Sequence, residues 1–488
     1  MVAAAAALAL ALAALPLAAS AETVLGVYIF HRHGDRTAKS TPPTYLTALG
    51  AEQVHASGAY YRGRYVAANA TSRIQALSPD VAVLSQLAVT APVDSVLQNS
   101  ASVFAQGLYP PAGDAARQTL ADGTVAEAPL GGYQYVPVNG IATAASSASS
   151  EDSEWLQGGS GCGNAVVSSN AYFASRQYLD TLAGTADFYR RLLPVVNRTF
   201  SESQLSFKNG YTIFDLINVA RIHNSTIQSA DLVTDDVFHQ LATRADQHEW
   251  GLAFNASEPV RAIAGSVLAA QVLQTLNATL QAPATRAATT RMGIQFGAYG
   301  TFMAFFGLAQ LPAVSDDFTG VCGYASSMVF ELVTNATTAT TDAASPVDPA
   351  DVSVRFLFSN GSASAGHEPV AYPLFGRRET LLPWKTFADE MSKFAVGDTL
   401  DWCKACGNTT GVCAAAAAAG GSGSGAGSAS ASGSDGEGMS RPVAGVIGAL
   451  VTLAVILGIE ALVMLVGGLR LVKKSVAARG KAAEAGHA

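Results

Sequence analysis

The central part of the chain has short apolar runs toward both of its ends and longer helical patterns between them. Runs rich in β-branched and aromatic residues, bounded by polar clusters, predict buried strands. They lie at Val24–Phe30, Ile294–Ala298, Ser327–Val333 and Val352–Phe358. Helices are predicted at Leu46–Tyr65, Tyr172–Val196, Thr212–Ala220, Val233–His248 and Glu258–Leu280. We therefore expect an α/β fold whose central, mostly parallel sheet is flanked by helices and interrupted by a mainly helical subdomain.

This folded region covers residues 22–413, which is large for one compact core. Because the predicted strands lie near its two ends, we place the α/β core at about 22–110 and 290–413. The helical cap is then expected within about 111–289.

The N-terminal segment, residues 1–21, is mostly Ala and Leu and ends in Ala19-Ser20-Ala21. A small-x-small ending after an apolar stretch predicts a cleaved signal peptide. The alternative is a buried Ala-rich helix. A signal peptide would place the folded region in the secretory pathway.

The C-terminal segment predicts a membrane anchor. Residues 442–469 are apolar except for Glu460 and are long enough to cross a bilayer. Basic residues in the following segment, 470–488, predict a cytoplasmic tail. Residues 414–441 are mostly Ala, Gly and Ser, which is typical of a flexible stalk. We therefore expect a single-pass type I membrane protein whose folded region faces the cell exterior, a vacuole or another lumen.

Asparagine sequons support the same compartment, because eight of them in one chain with a signal peptide predict a glycosylated exterior. They are Asn69, Asn197, Asn224, Asn255, Asn277, Asn335, Asn360 and Asn408. The net charge of −8, with no basic stripe, argues against a nucleic-acid partner.

Five cysteines in an oxidising lumen should form disulfides with one cysteine left over. They are Cys162, Cys322, Cys403, Cys406 and Cys413. The Cys403-x-x-Cys406 spacing is also compatible with zinc or redox chemistry. No second ligand pair accompanies it, so a structural disulfide is favoured and no metal or cofactor is expected.

The candidate chemistry lies in Arg32-His33-Gly34-Asp35-Arg36, directly after the first predicted strand. Ligands of α/β sheets bind at the carboxyl ends of strands. Arginine side chains match phosphate oxygens, and an imidazole between two of them can attack phosphorus. A surface-charged turn is the alternative interpretation. The motif therefore predicts an oxyanion site with Arg32, His33 and Arg36.

This motif resembles the Arg-His-Gly-x-Arg signature of the histidine acid phosphatases, the phytase-like branch of the histidine phosphatase superfamily. Further similar segments are Leu46–Gln53, Tyr61–Tyr65, Ser100-Ala101, Gly107–Pro111 and Tyr324–Leu332. The resemblance implies an α/β core with a helical subdomain and hydrolysis of phosphomonoesters through a phosphohistidine. It implies that His33 is the nucleophile and that Arg32 and Arg36 bind the phosphate.

Three positions depart from the family pattern. Val96 stands where the resemblance implies a third phosphate-binding arginine. Tyr299 and Gly300 stand where it implies a histidine and a proton-donating aspartate. Tyr299 could still donate a hydrogen bond to a bound phosphate, and Asp35 is a conceivable proton source.

His367-Glu368 is a less favoured acid pair, because it is expected in a hairpin rather than at the start of a helix. The remaining candidates for acid–base chemistry are expected to be ordinary histidines on helix surfaces. They are His55, His223, His239 and His248.

Three hypotheses follow from this sequence. The first is a phosphatase using His33, whose activity is weakened by the replaced residues. The second is a catalytically inactive surface glycoprotein that binds phosphate or a phosphoester. The third is a structural glycoprotein in which the motif is a relic, and the intact motif argues against it.

Overall fold

A computed structural model describes residues 22–74, 76–141, 161–224, 231–283, 289–336 and 345–421. The predicted signal peptide, transmembrane helix and cytoplasmic tail, and most of the predicted stalk, lie outside these residues.

The strands of the described residues confirm those expected from the apolar runs and add several short ones. They are β1 (Thr23–Arg32), β2 (Leu87–Pro92), β3 (Arg117–Thr119), β4 (Val125–Glu127), β5 (Asn139–Ile141), β6 (Met292–Gly297), β7 (Ser327–Thr334), β8 (Val352–Ser359), β9 (Val370–Ala371) and β10 (Leu381–Pro383). The main sheet has the order β10-β8-β7-β1-β6-β2-β5, with β9 beside β8, and β3 and β4 form a separate hairpin.

Helices connect several of these strands along the chain. In chain order, the α-helices of the described residues are α1 (Ala48–Tyr61), α2 (Ser95–Leu108), α3 (Pro129–Gly132), α4 (Gly163–Ala171), α5 (Arg176–Gly184), α6 (Ala186–Arg190), α7 (Leu193–Val196), α8 (Gly210–His223), α9 (Asp235–Ala253), α10 (Ile263–Leu280), α11 (Tyr299–Leu308), α12 (Trp384–Ser392), α13 (Thr399–Cys406) and α14 (Val412–Gly421).

The sheet is mixed, so the expectation of a mostly parallel sheet was wrong. Strands β1, β6, β2 and β5 pair in parallel, whereas β7 pairs antiparallel with β1, and β8 pairs antiparallel with β7, β9 and β10. Parallel pairing needs a long crossover, usually a helix, between strands. The connection from β8 to β9 is short and contains no helix, so these two strands pair as a hairpin.

Two apolar cores lie on the two faces of the sheet because neighbouring residues of a strand point to opposite sides. Val27 and Ile29 of β1 pack with buried residues of α1 and α2, such as Val54 and Phe104. The alternate residues Tyr28 and Phe30 pack with α10, α11 and α12. The core is therefore a sheet between two helical layers.

Helix α10 belongs to one of these layers. Together with the turn before it, Pro259–Leu280 is the one stretch of the described residues that is long and apolar enough to cross a membrane. Two thirds of its most apolar part, 67%, is buried inside the protein. Its apolarity is that of a core helix.

A separate apolar cluster holds the cap together, with members from α5 to α9 such as Tyr189, Ile213 and Leu241. The cap lies within the predicted range, but β5 and α10 from that range belong to the core. The single helix expected at Tyr172–Val196 was wrong, because the segment forms a short 3-10 turn and then α5, α6 and α7. Ser175 caps the start of α5, and Pro194 lies in the first turn of α7.

Two disulfides join the end of the core to the start of the cap: Cys162–Cys406 and Cys403–Cys413. Cys322 is buried and free. A bond between Cys403 and Cys406 was therefore the wrong interpretation of their spacing. Both lie on α13, where each side chain meets a different neighbouring segment.

Candidate active site

Three connections meet beside the centre of the sheet. The motif loop follows β1, and the segment leading into α11 follows β6, whose Gly297 lies opposite Arg32. The loop Val321–Ser326 leads into β7, whose first residue, Ser327, lies opposite His31. Since β1 and β6 are parallel and β7 is antiparallel to them, all three connections lie at the same edge of the sheet.

The motif loop is pressed against the start of α1. A Cβ atom at Gly34 would lie 2.2 Å from the carbonyl oxygen of Gly50. The backbone N–H of Gly34 donates to Ser100 Oγ on α2 at 3.3 Å. We expected Gly34 to allow close approach of the ligand, and the structure shows that α1 alone already requires a glycine here.

His33 is buried, with 1% of its surface exposed. Its Nδ1 lies 2.8 Å from the carbonyl oxygen of Gly34. A carbonyl oxygen only accepts hydrogen bonds, so Nδ1 carries the proton and the lone pair is on Nε2. This tautomer is the one in which Nε2 can act as a nucleophile.

His31 lies beneath this position. It stacks on Phe296 at 4.9 Å between ring centroids and contacts the edge of Phe104. Burial lowers the pKa of His31 to about 4. His31 is therefore a neutral packing residue.

Arg32 is held by the loop before β7. Its Nη1 donates to the carbonyl oxygen of Cys322. The guanidinium carbon lies 4.8 Å from the ring centroid of Tyr324 and 5.3 Å from that of Tyr299. Aromatic faces attract a cation at such distances, so the two tyrosines fix the direction of Arg32.

Arg36 is buried and paired with a carboxylate of the cap. Its Nη2 and Nη1 lie 3.0 Å and 3.3 Å from the two carboxylate oxygens of Asp215 on α8. Nη2 also donates to Tyr211 Oη at 3.3 Å. Burial lowers the pKa of the Arg36 guanidinium, but Tyr211 and Asp215 outweigh it and raise that pKa above its usual range.

Both arginines keep one buried hydrogen-bond donor without a partner. These are the Nε atoms of Arg32 and Arg36, which contact no acceptor among the described residues. Buried donors normally have a partner, because leaving one unpaired costs about 1–3 kcal/mol. Two such donors on the arginines of the motif fit an oxyanion ligand.

Asp35 is bound to the cap through His223. The imidazole Nε2 lies 2.6 Å from Asp35 Oδ2, which also accepts from Thr47 Oγ1 at 2.5 Å. The expectation that His223 is an ordinary surface histidine was therefore wrong. His55 and His239 are exposed on their helices, as expected.

Tyr299 lies in the site but does not have a free hydroxyl. Its Oη donates to Glu249 Oε2 at 2.7 Å, and Glu249 Oε1 lies 2.8 Å from His248 Nδ1. The expectation of an ordinary surface histidine was wrong for His248 too, since 6% of it is exposed. The ring of Tyr299 lies 4.9 Å from that of Tyr211.

The other two departures from the family pattern lie at the starts of helices. Val96 is buried in the first turn of α2, whose N-cap is Asp94. Gly300 is the second residue of α11, and a Cβ atom there would have no neighbour within 4 Å. Position 300 therefore has room for a side chain. His367-Glu368 lies in the connection between β8 and β9, as expected.

Asp246 on α9 supports the loop before β7, because Asp246 Oδ1 accepts from the backbone N–H of Val321 at 2.8 Å. Burial raises the pKa of its carboxyl to about 6. The ionised form of Asp246 is thus disfavoured in the folded protein.

Sequence reasoning missed the residues that the cap brings to the site, above all Asp215, Tyr211 and Glu249. One signal was available, since Asp215 interrupts the apolar run Ile213–Ile217 and so places a carboxylate on a buried helix face. Within the described ranges no group of three His, Cys, Asp or Glu residues could hold a metal ion.

Comparison with protein families decides the class of this protein. The model of the histidine phosphatase superfamily (branch 2) matches residues 39–359. The chain belongs to this superfamily. The match covers more than half of the chain and begins just after Arg36, so the motif itself adds independent support. No curated protein sequence matches the chain significantly.

Solved structures of phytases share the fold of this branch 2 histidine phosphatase. The phytase of Citrobacter braakii has a TM-score of 0.50 at 12% identity, covering 79% of this chain and 99% of that chain. The phytase of Klebsiella sp. ASR1 has a TM-score of 0.51 at 10% identity, with coverage of 78% and 97%. At these identities the similarity concerns the fold alone.

We predict that Asp215→Asn destabilises the protein but strengthens its response to phosphate. Removing one partner of a buried ion pair costs about 3–5 kcal/mol, while Arg36 becomes available to an anion. The Tm should fall, and inorganic phosphate should raise it more in the variant than in the wild type. Asp180→Asn, in an exposed pair with Arg176, is the control. An unchanged Tm and an unchanged phosphate response would contradict this assignment.

A second prediction concerns pH. The carboxyl of Asp246 has a pKa of about 6 in the folded state against 3.8 for the free group. Between these values the folded state binds the extra proton, so the free energy of unfolding decreases as pH rises. The decrease is at most about 3 kcal/mol. Asp246→Asn should remove it when denaturant unfolding is compared at the two ends of this window. An identical pH dependence in both proteins would be the contrary result.

Proposed function

We propose that this protein hydrolyses phosphomonoesters through a phosphohistidine on His33. The Nε2 atom attacks phosphorus, while Arg32 and Arg36 bind the oxygens of the phosphoryl group. Water then releases phosphate from His33. Membership of the histidine phosphatase superfamily supports a phosphatase-like activity, and the tautomer of His33 supports its role as the nucleophile.

The observation that carries the proposal is the pair of buried Nε donors on Arg32 and Arg36. A structural turn would leave no reason for two buried guanidinium groups with unpaired donors beside a buried histidine. A phosphoryl group offers three oxygens and would satisfy both donors.

The replaced residues limit the activity that this site can reach. Losing a general acid costs ~10²–10⁴ in rate, and losing one charged donor costs roughly 10²–10³. Aryl and acyl phosphates have leaving groups that need little protonation. We therefore expect them to be better substrates than alkyl phosphates.

A catalytically inactive protein that binds a phosphoester is the second candidate. The pairing of Arg36 with Asp215 favours it, because a carboxylate next to the phosphate site weakens the attraction for a dianion. Saturable phosphate binding without hydrolysis would identify this function.

We also propose that the folded region is a glycosylated ectodomain anchored by one transmembrane helix at residues 442–469. The signal peptide and basic tail expected from the sequence support this location. The eight sequon asparagines are all exposed or half-exposed on the folded region, as attachment of glycans requires.

His33→Ala tests the proposed function. Loss of the nucleophile should abolish hydrolysis of p-nitrophenyl phosphate at mildly acidic pH. The measurement is kcat/KM of the purified protein, with His239→Ala as a control on an exposed histidine. Equal rates for wild type and His33→Ala would end the catalytic interpretation.

Rebuilding the family pattern tests the three replaced positions. Tyr299→His with Gly300→Asp should raise the rate on alkyl phosphates by ~10² or more, because Gly300 has room for a side chain. Adding Val96→Arg should raise it further. The matched control has Gly300→Asn, which has the same shape without the acid. An equal gain with Asn would show that no acid was missing.

A further inference from the structure

Tyr299 and two residues of the cap form a continuous hydrogen-bonded chain. It runs from His248 Nδ1 through the carboxylate of Glu249 to the phenol of Tyr299. Its end inside the site is the Tyr299 ring, which lies against the guanidinium of Arg32. The carboxyl group of Glu249 is mostly buried, with 15% of the side chain exposed.

This chain lies beside the place where the site lacks an acid. Tyr299 and Gly300 are the first two residues of α11, and nothing occupies the space in front of Gly300 within 4 Å of a Cβ atom. A carboxyl that does not come from position 300 can reach this region from the cap instead. Glu249 does so, across the hydroxyl of Tyr299.

We propose that Tyr299 donates the proton to the leaving-group oxygen and that Glu249 restores it. This inference rests on the proposed phosphatase function. Tyr299 is the catalytic residue in this scheme, and Glu249, held by His248, is a positioning residue that stores the proton.

Bonds and protons balance over the two halves of the reaction. The bond from His33 Nε2 to phosphorus forms as the bond from phosphorus to the leaving oxygen breaks. That oxygen takes the phenolic proton of Tyr299, whose oxygen takes the proton of the neutral Glu249 carboxyl. In the second half, water attacks phosphorus, the bond to His33 breaks, and the water proton returns through Tyr299 to the Glu249 carboxylate.

The other carboxylates near the motif are committed to different contacts. Both oxygens of Asp215 bind Arg36. Asp35 is buried under Thr47 and His223. Asp246 accepts the backbone N–H of Val321. Glu249 is the carboxylate that directly contacts a side chain at the start of α11.

The test uses the dependence of the rate on the leaving group. Tyr299→Phe and Glu249→Gln are compared with wild type on p-nitrophenyl phosphate and on glycerol phosphate. The nitrophenolate leaves without protonation, whereas the glycerol alkoxide needs a proton. Each variant should lose ~10²-fold or more in kcat on glycerol phosphate and keep most of its kcat on the aryl ester.

The matched controls are Tyr109→Phe, another buried tyrosine with a hydrogen-bonded hydroxyl, and Glu258→Gln. They should affect neither substrate selectively. Tyr299→His with Gly300→Asp supplies a separate acid, so in that background Glu249→Gln should no longer lower the alkyl rate.

Failure of the proton relay and failure of the phosphatase function give different results. Equal effects of Glu249→Gln on both esters, or a selective alkyl loss in His223→Gln instead, overturn this inference and leave the nucleophile in place. Absence of His33-dependent hydrolysis of the aryl ester overturns the proposed function and this inference with it.

Discussion

The contact between Asp215 and Arg36 joins the cap to the motif. It is buried on both sides, with 0% and 3% of the two side chains exposed. Helix α8 makes a second contact nearby, from His223 to Asp35. Because an unpaired charge at this depth would cost several kcal/mol, the loop after β1 and the cap helix are expected to form and break together.

The same contact sets the chemistry of the site. A phosphate must share Arg36 with a carboxylate, and Val96 brings no third arginine to compensate. The cap also supplies Glu249 to Tyr299, so it adds one carboxylate that competes with the substrate and one that can assist its reaction. Substrate preference in this protein therefore depends on the cap as much as on the motif.

The core and the motif could be predicted from the sequence because their signals are local. Strand β1 is one apolar run, and the five residues after it carry the nucleophile and both arginines. The contacts with Asp215, His223 and Glu249 could not, since they join positions about 180 or 50 residues apart. A helix pattern shows which face is polar but not which buried partner a polar side chain meets. The direction of β7 was missed for a similar reason, because pairing depends on how connections pack.

The central claim is that His33 becomes phosphorylated, and trapping that intermediate tests it most directly. The protein is mixed with p-nitrophenyl phosphate, quenched in alkali to preserve phosphohistidine, and its peptides are analysed by mass spectrometry. The account predicts a phosphoryl group on His33 that is absent from His33→Ala. Hydrolysis of the substrate with the phosphoryl group on another residue, or with no phosphorylated residue at all, would contradict it.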